Sequence, residues 1–217
     1  MQPKIHQGQR VVNYGTALTD ADLVVILLHG RGASAEGLLP LAQALQMEST
    51  AFLMPQAALN RWYPNSAFGP IESNEPDLSS ALATIDLLIE QVEQQGLSSQ
   101  QIVLGGFSQG ACLAAEYAAR NAKPYAGLFV YSGALIGPRG TKRSYSGSFE
   151  DMPVFIGGSD VDPWVAQDLM SESARVFERM GARVDFQIYP GMAHTVNQDE
   201  IDRVRSMLAY SLQPETK

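Results

Sequence analysis

Leu23-Val24-Val25-Ile26-Leu27-Leu28 is apolar at every position. A strand with one wet face alternates apolar and polar residues. A strand without alternation is buried on both faces, and that requires helices on both sides of a parallel sheet. The run therefore points to an α/β, doubly wound architecture. The rest of the chain agrees. Ala51–Met54, Ile102–Leu104, Ala126–Ser132, Pro153–Ile156 and Val184–Tyr189 read as further strands, and Gln9–Asn13 as an edge strand. Helical spacing predicts helices over Glu36–Gln46 (Ser34 as N-cap), from Asp77 as its own cap to a stop at Gly96, and over Ala111–Ala119, Val165–Met180 and Asp199–Leu212. Strands alternating with crossovers of this length pair in parallel. Two stretches lack a period. Residues 59–76 are expected to form a functional or mobile loop, and Gly133–Met152, rich in Gly and Ser, a surface excursion.

Composition narrows the class. At 217 residues the chain is expected to form one domain over 1–217. A net charge of −8 with no basic run argues against a nucleic-acid partner. The single cysteine, Cys112, excludes an internal disulfide and fits a reducing compartment. The polar start Met1–Gly8 shows no signal peptide, and Leu23–Leu28, the longest aliphatic run, is too short to cross a bilayer. These features predict a soluble cytoplasmic protein without stable membrane insertion. They are silent on oligomeric state, and a homodimer is compatible with them.

The chemistry is concentrated at Gly106-Phe107-Ser108-Gln109-Gly110, between an apolar strand and an alanine-rich helix. In this G-x-S-x-G pattern a tight turn lifts a serine hydroxyl above the sheet end, and glycines flank it where a Cβ would crowd neighbouring backbone. A serine hydroxyl needs a base to take its proton, and the base needs an acid to orient it. On α/β sheets with such an elbow the chain order is serine, acid, histidine. Of the three histidines, His6 and His29 precede Ser108, and only His194 follows, in the loop after the last strand. The acid falls to Asp160 or Asp162, and the extended backbone imposed before Pro163 favours Asp162. Oxyanion donors are expected from the backbone N–H of Gln109 and of Arg31, the latter in the His29-Gly30-Arg31-Gly32 loop. His29 is then structural, and Cys112 is a small buried hydrophobe. No metal-ligand spacing occurs, and Gly105–Gly110 lacks the spacing of a dinucleotide loop, so neither metal nor cofactor is expected.

With these residues in hand, the chain resembles the phospholipase/carboxylesterase family of α/β-hydrolases, which includes acyl-protein thioesterases and small bacterial carboxylesterases. The resemblance runs through Leu27–Ala33, Pro55-Gln56-Ala57, Arg61-Trp62-Tyr63-Pro64, Asn74-Glu75-Pro76, Gly105–Cys112, Tyr131-Ser132-Gly133, Asp162-Pro163 and Tyr189–His194. It implies an α/β-hydrolase fold, with Ser108 as nucleophile, Asp162 as acid, His194 as base and the same oxyanion pair. Members usually carry Asp-Pro-x-Val-Pro where this chain has Asp162-Pro163-Trp164-Val165-Ala166. Loss of that proline is expected to loosen the following helix, and Trp164 to add bulk beside the pocket.

The expected activity is hydrolysis of carboxylic esters or thioesters, of small or medium chain length, through an acyl-enzyme. No segment is long enough for a large cap domain, so the site should be open, with Trp62, Tyr63, Phe68 and Trp164 as candidate acyl walls. Two rivals stand beside it. A dienelactone-hydrolase-like lactonase would ordinarily carry cysteine in place of Ser108. A hydrolase-fold receptor without catalysis would have no need of Ser108, Asp162 and His194 together.

Overall fold

The computed structural model describes residues 4–212. Seven strands form one sheet: β1 (Val11–Gly15), β2 (Leu23–Leu28), β3 (Thr50–Pro55), β4 (Ile102–Phe107), β5 (Gly127–Tyr131), β6 (Pro153–Ser159) and β7 (Arg183–Tyr189). Their order is β1-β3-β2-β4-β5-β6-β7. Only β1 runs antiparallel, against β3; the other neighbours are parallel. The helices are α1 (Leu39–Leu45), α2 (Asp77–Glu93), α3 (Gln109–Arg120), α4 (Gln167–Arg179) and α5 (Gln198–Ser211).

The unbroken apolar run of β2 is explained by two cores. Val24, Ile26 and Leu28 pack on one side of the sheet with residues of α2, α3 and α4. Leu23, Val25 and Leu27 pack on the other with residues of α1 and α5. Each such side chain contributes about 1.5–3 kcal/mol on burial. The alanines of α3 have a similar cause, since every residue from Gln109 to Ala119 is buried. Small side chains let that helix lie close to the sheet.

Several boundaries differ from the expectations. The helix after Ser34 is shorter than Glu36–Gln46. Glu36–Leu38 forms a 3₁₀ turn, and the α-helix starts at Leu39 because Pro40 has no N–H to give an earlier turn. Asp77 does not cap α2; the Glu75 carboxylate takes the Ser79 N–H instead. Residues 133–152 form a surface excursion only in part: 138–148 lie mostly at the surface, while the two ends turn inward. Ala134, Leu135, Ile136 and Phe149 are fully buried. Buried Glu116 of α3 accepts from Ile136 N at 3.1 Å and Tyr145 Oη at 3.1 Å. Buried Arg143 donates to the carbonyls of Leu135 and Ile136. This polar knot, absent from any periodicity, draws the segment inward. No helix among the described residues is long and apolar enough to cross a membrane.

Candidate active site

Parallel strands present their carboxyl ends together, and the loops there converge. The elbow links β4 to α3. Ser108 has φ 55° and ψ −119°, a left-handed conformation unusual for a residue with a Cβ. Hydrogen bonds from Ser108 N to Tyr131 O (2.9 Å) and from Cys112 N to Ser108 O (3.0 Å) hold it there. The flanking glycines are required by contact. A Cβ at Gly106 would lie 2.6 Å from the Gly110 carbonyl carbon, and one at Gly110 would lie 2.2 Å from Leu28 O.

His194, in the loop after β7, reaches this serine. Its Nε2 is 2.8 Å from Ser108 Oγ, and its Nδ1 is 2.6 Å from Asp162 Oδ2. The imidazole also packs on Phe107, with ring centroids 4.8 Å apart. The Asp162 side chain is buried. Its other oxygen accepts from the backbone N–H of Trp164 (2.8 Å) and Val165 (3.0 Å). Asp160 makes a different contact, accepting Gly191 N at 2.7 Å and so tying the acid loop to the histidine loop. The geometry thus brings Asp162, and not Asp160, to His194. A carboxylate on Nδ1 keeps Nε2 free to accept a proton from the hydroxyl.

The opposite side of the cleft is built by the loops after β2 and β3. Gly30 lies beside the elbow, where a Cβ would be in van der Waals contact with Phe107 and Ser108. Among the described residues no protein acceptor takes the backbone N–H of Arg31 or of Gln109, and the latter opens α3, where the first N–H groups have no helical partner. His29 is buried below them. Its Nδ1 faces Gly30 O at 2.8 Å and its Nε2 accepts from Ala57 N at 3.0 Å. Burial lowers its pKa, which keeps the ring neutral and Nε2 an acceptor.

A cavity of about 500 Å³ opens over Ser108, with Arg31, Tyr63, Phe68, Gln109, Trp164 and His194 among its lining residues. Of the four expected walls, Tyr63, Phe68 and Trp164 border this cavity, Tyr63 from a fully buried position. Trp62 is a correction. It is fully buried, absent from the cavity lining, and donates from Nε1 to His29 O at 2.9 Å. It anchors the loop on the core. Cys112 lines the cavity floor, and burial pushes its thiol up to about 12, which removes the thiolate at neutral pH. Ala166, where members carry proline, has φ −68°, a value that proline would also adopt. Sequence inspection missed Gln56, whose Oε1 accepts Ala35 N (2.9 Å) and whose Nε2 donates to Asn60 Oδ1 (3.0 Å). Its place in the Pro55-Gln56-Ala57 motif was the only signal.

Comparison with known proteins bears on this arrangement. Residues 16–212 match the phospholipase/carboxylesterase family. The chain belongs to that family. Its fold is the α/β-hydrolase fold without a large cap, and it is a hydrolase of the esterase class. A solved phospholipase/carboxylesterase from Dyadobacter fermentans is 38% identical, with a TM-score of 0.88 over 93% of this chain and 97% of that one. Acyl-protein thioesterase 1 of Saccharomyces cerevisiae is 28% identical over 87% of this chain and 92% of its own length. The Bacillus cereus carboxylesterase, 19% identical with a TM-score of 0.74 over 95% of this chain and 96% of its own, shares the fold.

Proposed function

We propose that this family member cleaves carboxylic esters or thioesters through an acyl-enzyme on Ser108, with His194 as base and Asp162 as the acid that orients it. The observation that carries this is the continuous hydrogen-bonded chain from Asp162 Oδ2 through His194 to Ser108 Oγ. As Ser108 Oγ attacks the acyl carbon, its proton passes to His194 Nε2. The imidazolium is stabilised by buried Asp162. Charge developing on the acyl oxygen is met by the backbone N–H groups of Arg31 and Gln109, with the N-terminus of α3 adding a favourable dipole. His194 then protonates the leaving alcohol or thiol. Water, losing its proton to the same imidazole, releases the acid and restores Ser108.

The S. cerevisiae and Kluyveromyces lactis relatives are named acyl-protein thioesterases, which supports thioesters beside oxygen esters. The cleft between Tyr63, Phe68 and Trp164 suits an acyl group of small to medium length. We further propose that residues 1–217 act as one domain and that the enzyme works in the cytoplasm. The test is hydrolysis of p-nitrophenyl acetate and of an acyl-coenzyme-type thioester by the wild type and Ser108→Ala. Turnover that disappears in the variant is expected. Equal turnover by both proteins, or none by the wild type on any short ester or thioester, overturns the reading.

A further inference from the structure

Arg31 and Gln109 carry long polar side chains, and both close on the same short stretch of chain. The Arg31 guanidinium donates from Nη1 to Pro64 O (2.9 Å) and from Nη2 to Tyr63 O (3.0 Å) and Asn65 O (2.5 Å). Gln109 Nε2 donates to Tyr63 O at 2.9 Å, and its Oε1 accepts from Trp62 N at 2.9 Å. The Tyr63 carbonyl therefore receives one N–H from each side chain. Tyr63 Oη returns to Gln109 O at 3.4 Å, and Trp62 Nε1 returns to His29 O at 2.9 Å. Segments 29–31, 62–65 and 108–109 thus form one closed hydrogen-bonded unit.

The choice of residue types is informative. Arg31 forms no ion pair among the described residues. In a protein of net charge −8, this cation is committed to three neutral carbonyls. A planar guanidinium can bridge several carbonyls at once, whereas an ammonium is a point donor on a flexible stem. Hydrogen bonds from a charged donor are also stronger than neutral ones. Three of the five N–H donors of the guanidinium are thereby committed to the loop.

We infer that the side chains of Arg31 and Gln109 are positioning residues, which lock the 62–65 segment to the two backbone N–H donors so that oxyanion pocket and cleft wall hold one geometry. This rests on the serine mechanism proposed above. It adds a role for side chains where that mechanism uses only backbone. An oxyanion contact is made fully only in the transition state, so a loosened lock lowers kcat while leaving KM largely alone. Loss of a whole oxyanion donor costs about 10²–10³-fold in kcat. A misaligned pair should cost less, about 10- to 100-fold.

The experiment compares wild type, Arg31→Lys, Arg31→Ala, Gln109→Ala and the Arg31→Ala/Gln109→Ala double variant on p-nitrophenyl acetate. Binding of a trifluoromethyl ketone, which mimics the tetrahedral adduct, is measured alongside, and thermal melts establish that each variant is folded. Lysine is expected not to rescue. Arg31→Lys and Gln109→Ala should each lose about 10- to 100-fold in kcat, with KM within about threefold of wild type, and weaken the ketone in proportion. The double variant should lose less than the product of the single losses, because both side chains hold one carbonyl. Wild-type kcat in Arg31→Lys, a loss confined to KM, or multiplicative losses in the double variant would overturn the inference. Ser108→Ala run in parallel separates the two claims: an inactive Ser108→Ala beside a fully active Arg31→Lys refutes the lock alone, and an active Ser108→Ala refutes the serine mechanism.

Discussion

The two sides of the cleft are built in opposite ways. On one side, Trp62 and Tyr63 are fully buried, and Arg31, Gln109, Gln56 and His29 hydrogen-bond the loops to each other and to the elbow. On the other, the segment after β6 stands largely in solvent: Val161 is 60% exposed and Trp164 is 71% exposed. There the Asp162 side chain, held by two backbone N–H groups and His194, and the core residue Val165 are sunk into the protein. The contrast teaches a division of labour. The loops that carry the proposed oxyanion donors are tied together by buried polar contacts. Trp164, proposed to meet the variable part of a substrate, is left at the rim.

The sharpest way to break this comparison lies within the exposed segment itself. Asp162→Asn should lower kcat by about 10⁴-fold, since an amide cannot hold the imidazole in the working tautomer. Asp160→Asn, two residues away and joined to Gly191 N and Ser159 Oγ but not to His194, should lose far less. Equal losses would remove the distinction. The tryptophans come next. Trp62→Ala empties a filled core site and should cost about 3–5 kcal/mol of stability, read by denaturant unfolding. Trp164→Ala, at the rim, should leave stability within about 0.5 kcal/mol.

A pH-dependent effect follows from the one buried acid of α5. Glu200 is fully buried, and burial raises its carboxyl from an ordinary 4.5 to about 7. The folded state then binds more protons than the unfolded state between those values. Stability is present below pH 4.5 and is lost as pH rises through about 7. Glu200→Gln keeps the capping hydrogen bond with Asn197 and lacks the charge. It should match wild type near pH 5 and exceed it by roughly 2–3 kcal/mol at pH 8, as thermal melts across that range will show. A constant difference would contradict the assignment. The smallest effect is kinetic: Trp164→Ala should change KM between short and longer acyl esters by roughly 3- to 10-fold, with kcat on acetate nearly intact. An unchanged chain-length profile would mean that the exposed rim has no part in selection.

Much of this architecture can be read from residue order alone. The two-faced burial of Leu23–Leu28, the elbow glycines and the single histidine after Ser108 each have few structural outcomes, and His194 lies within hydrogen-bond distance of Ser108. What could not be read depended on long-range polar contacts. Glu116 looks like a helix-surface residue until Ile136 N and Tyr145 Oη fold back onto it. Trp62 and Trp164 are equal as letters, and only tertiary packing buries one and exposes the other. The side chains of Arg31 and Gln109 were legible as neighbours of reacting groups, but the carbonyl of Tyr63 that joins them has no signature in sequence. Asp77 lost its capping role to Glu75 because both lie within reach of the same helix start.

The central claim is that Ser108, activated through His194, becomes covalently acylated. It is tested most directly by treating the enzyme with a fluorophosphonate ester and mapping the adduct by peptide mass. One phosphonyl group per chain on the peptide holding Ser108 is expected. It should be absent in Ser108→Ala and form at least about 10²-fold more slowly in His194→Ala. Labelling at another residue, or equally fast labelling without the imidazole, would contradict the account.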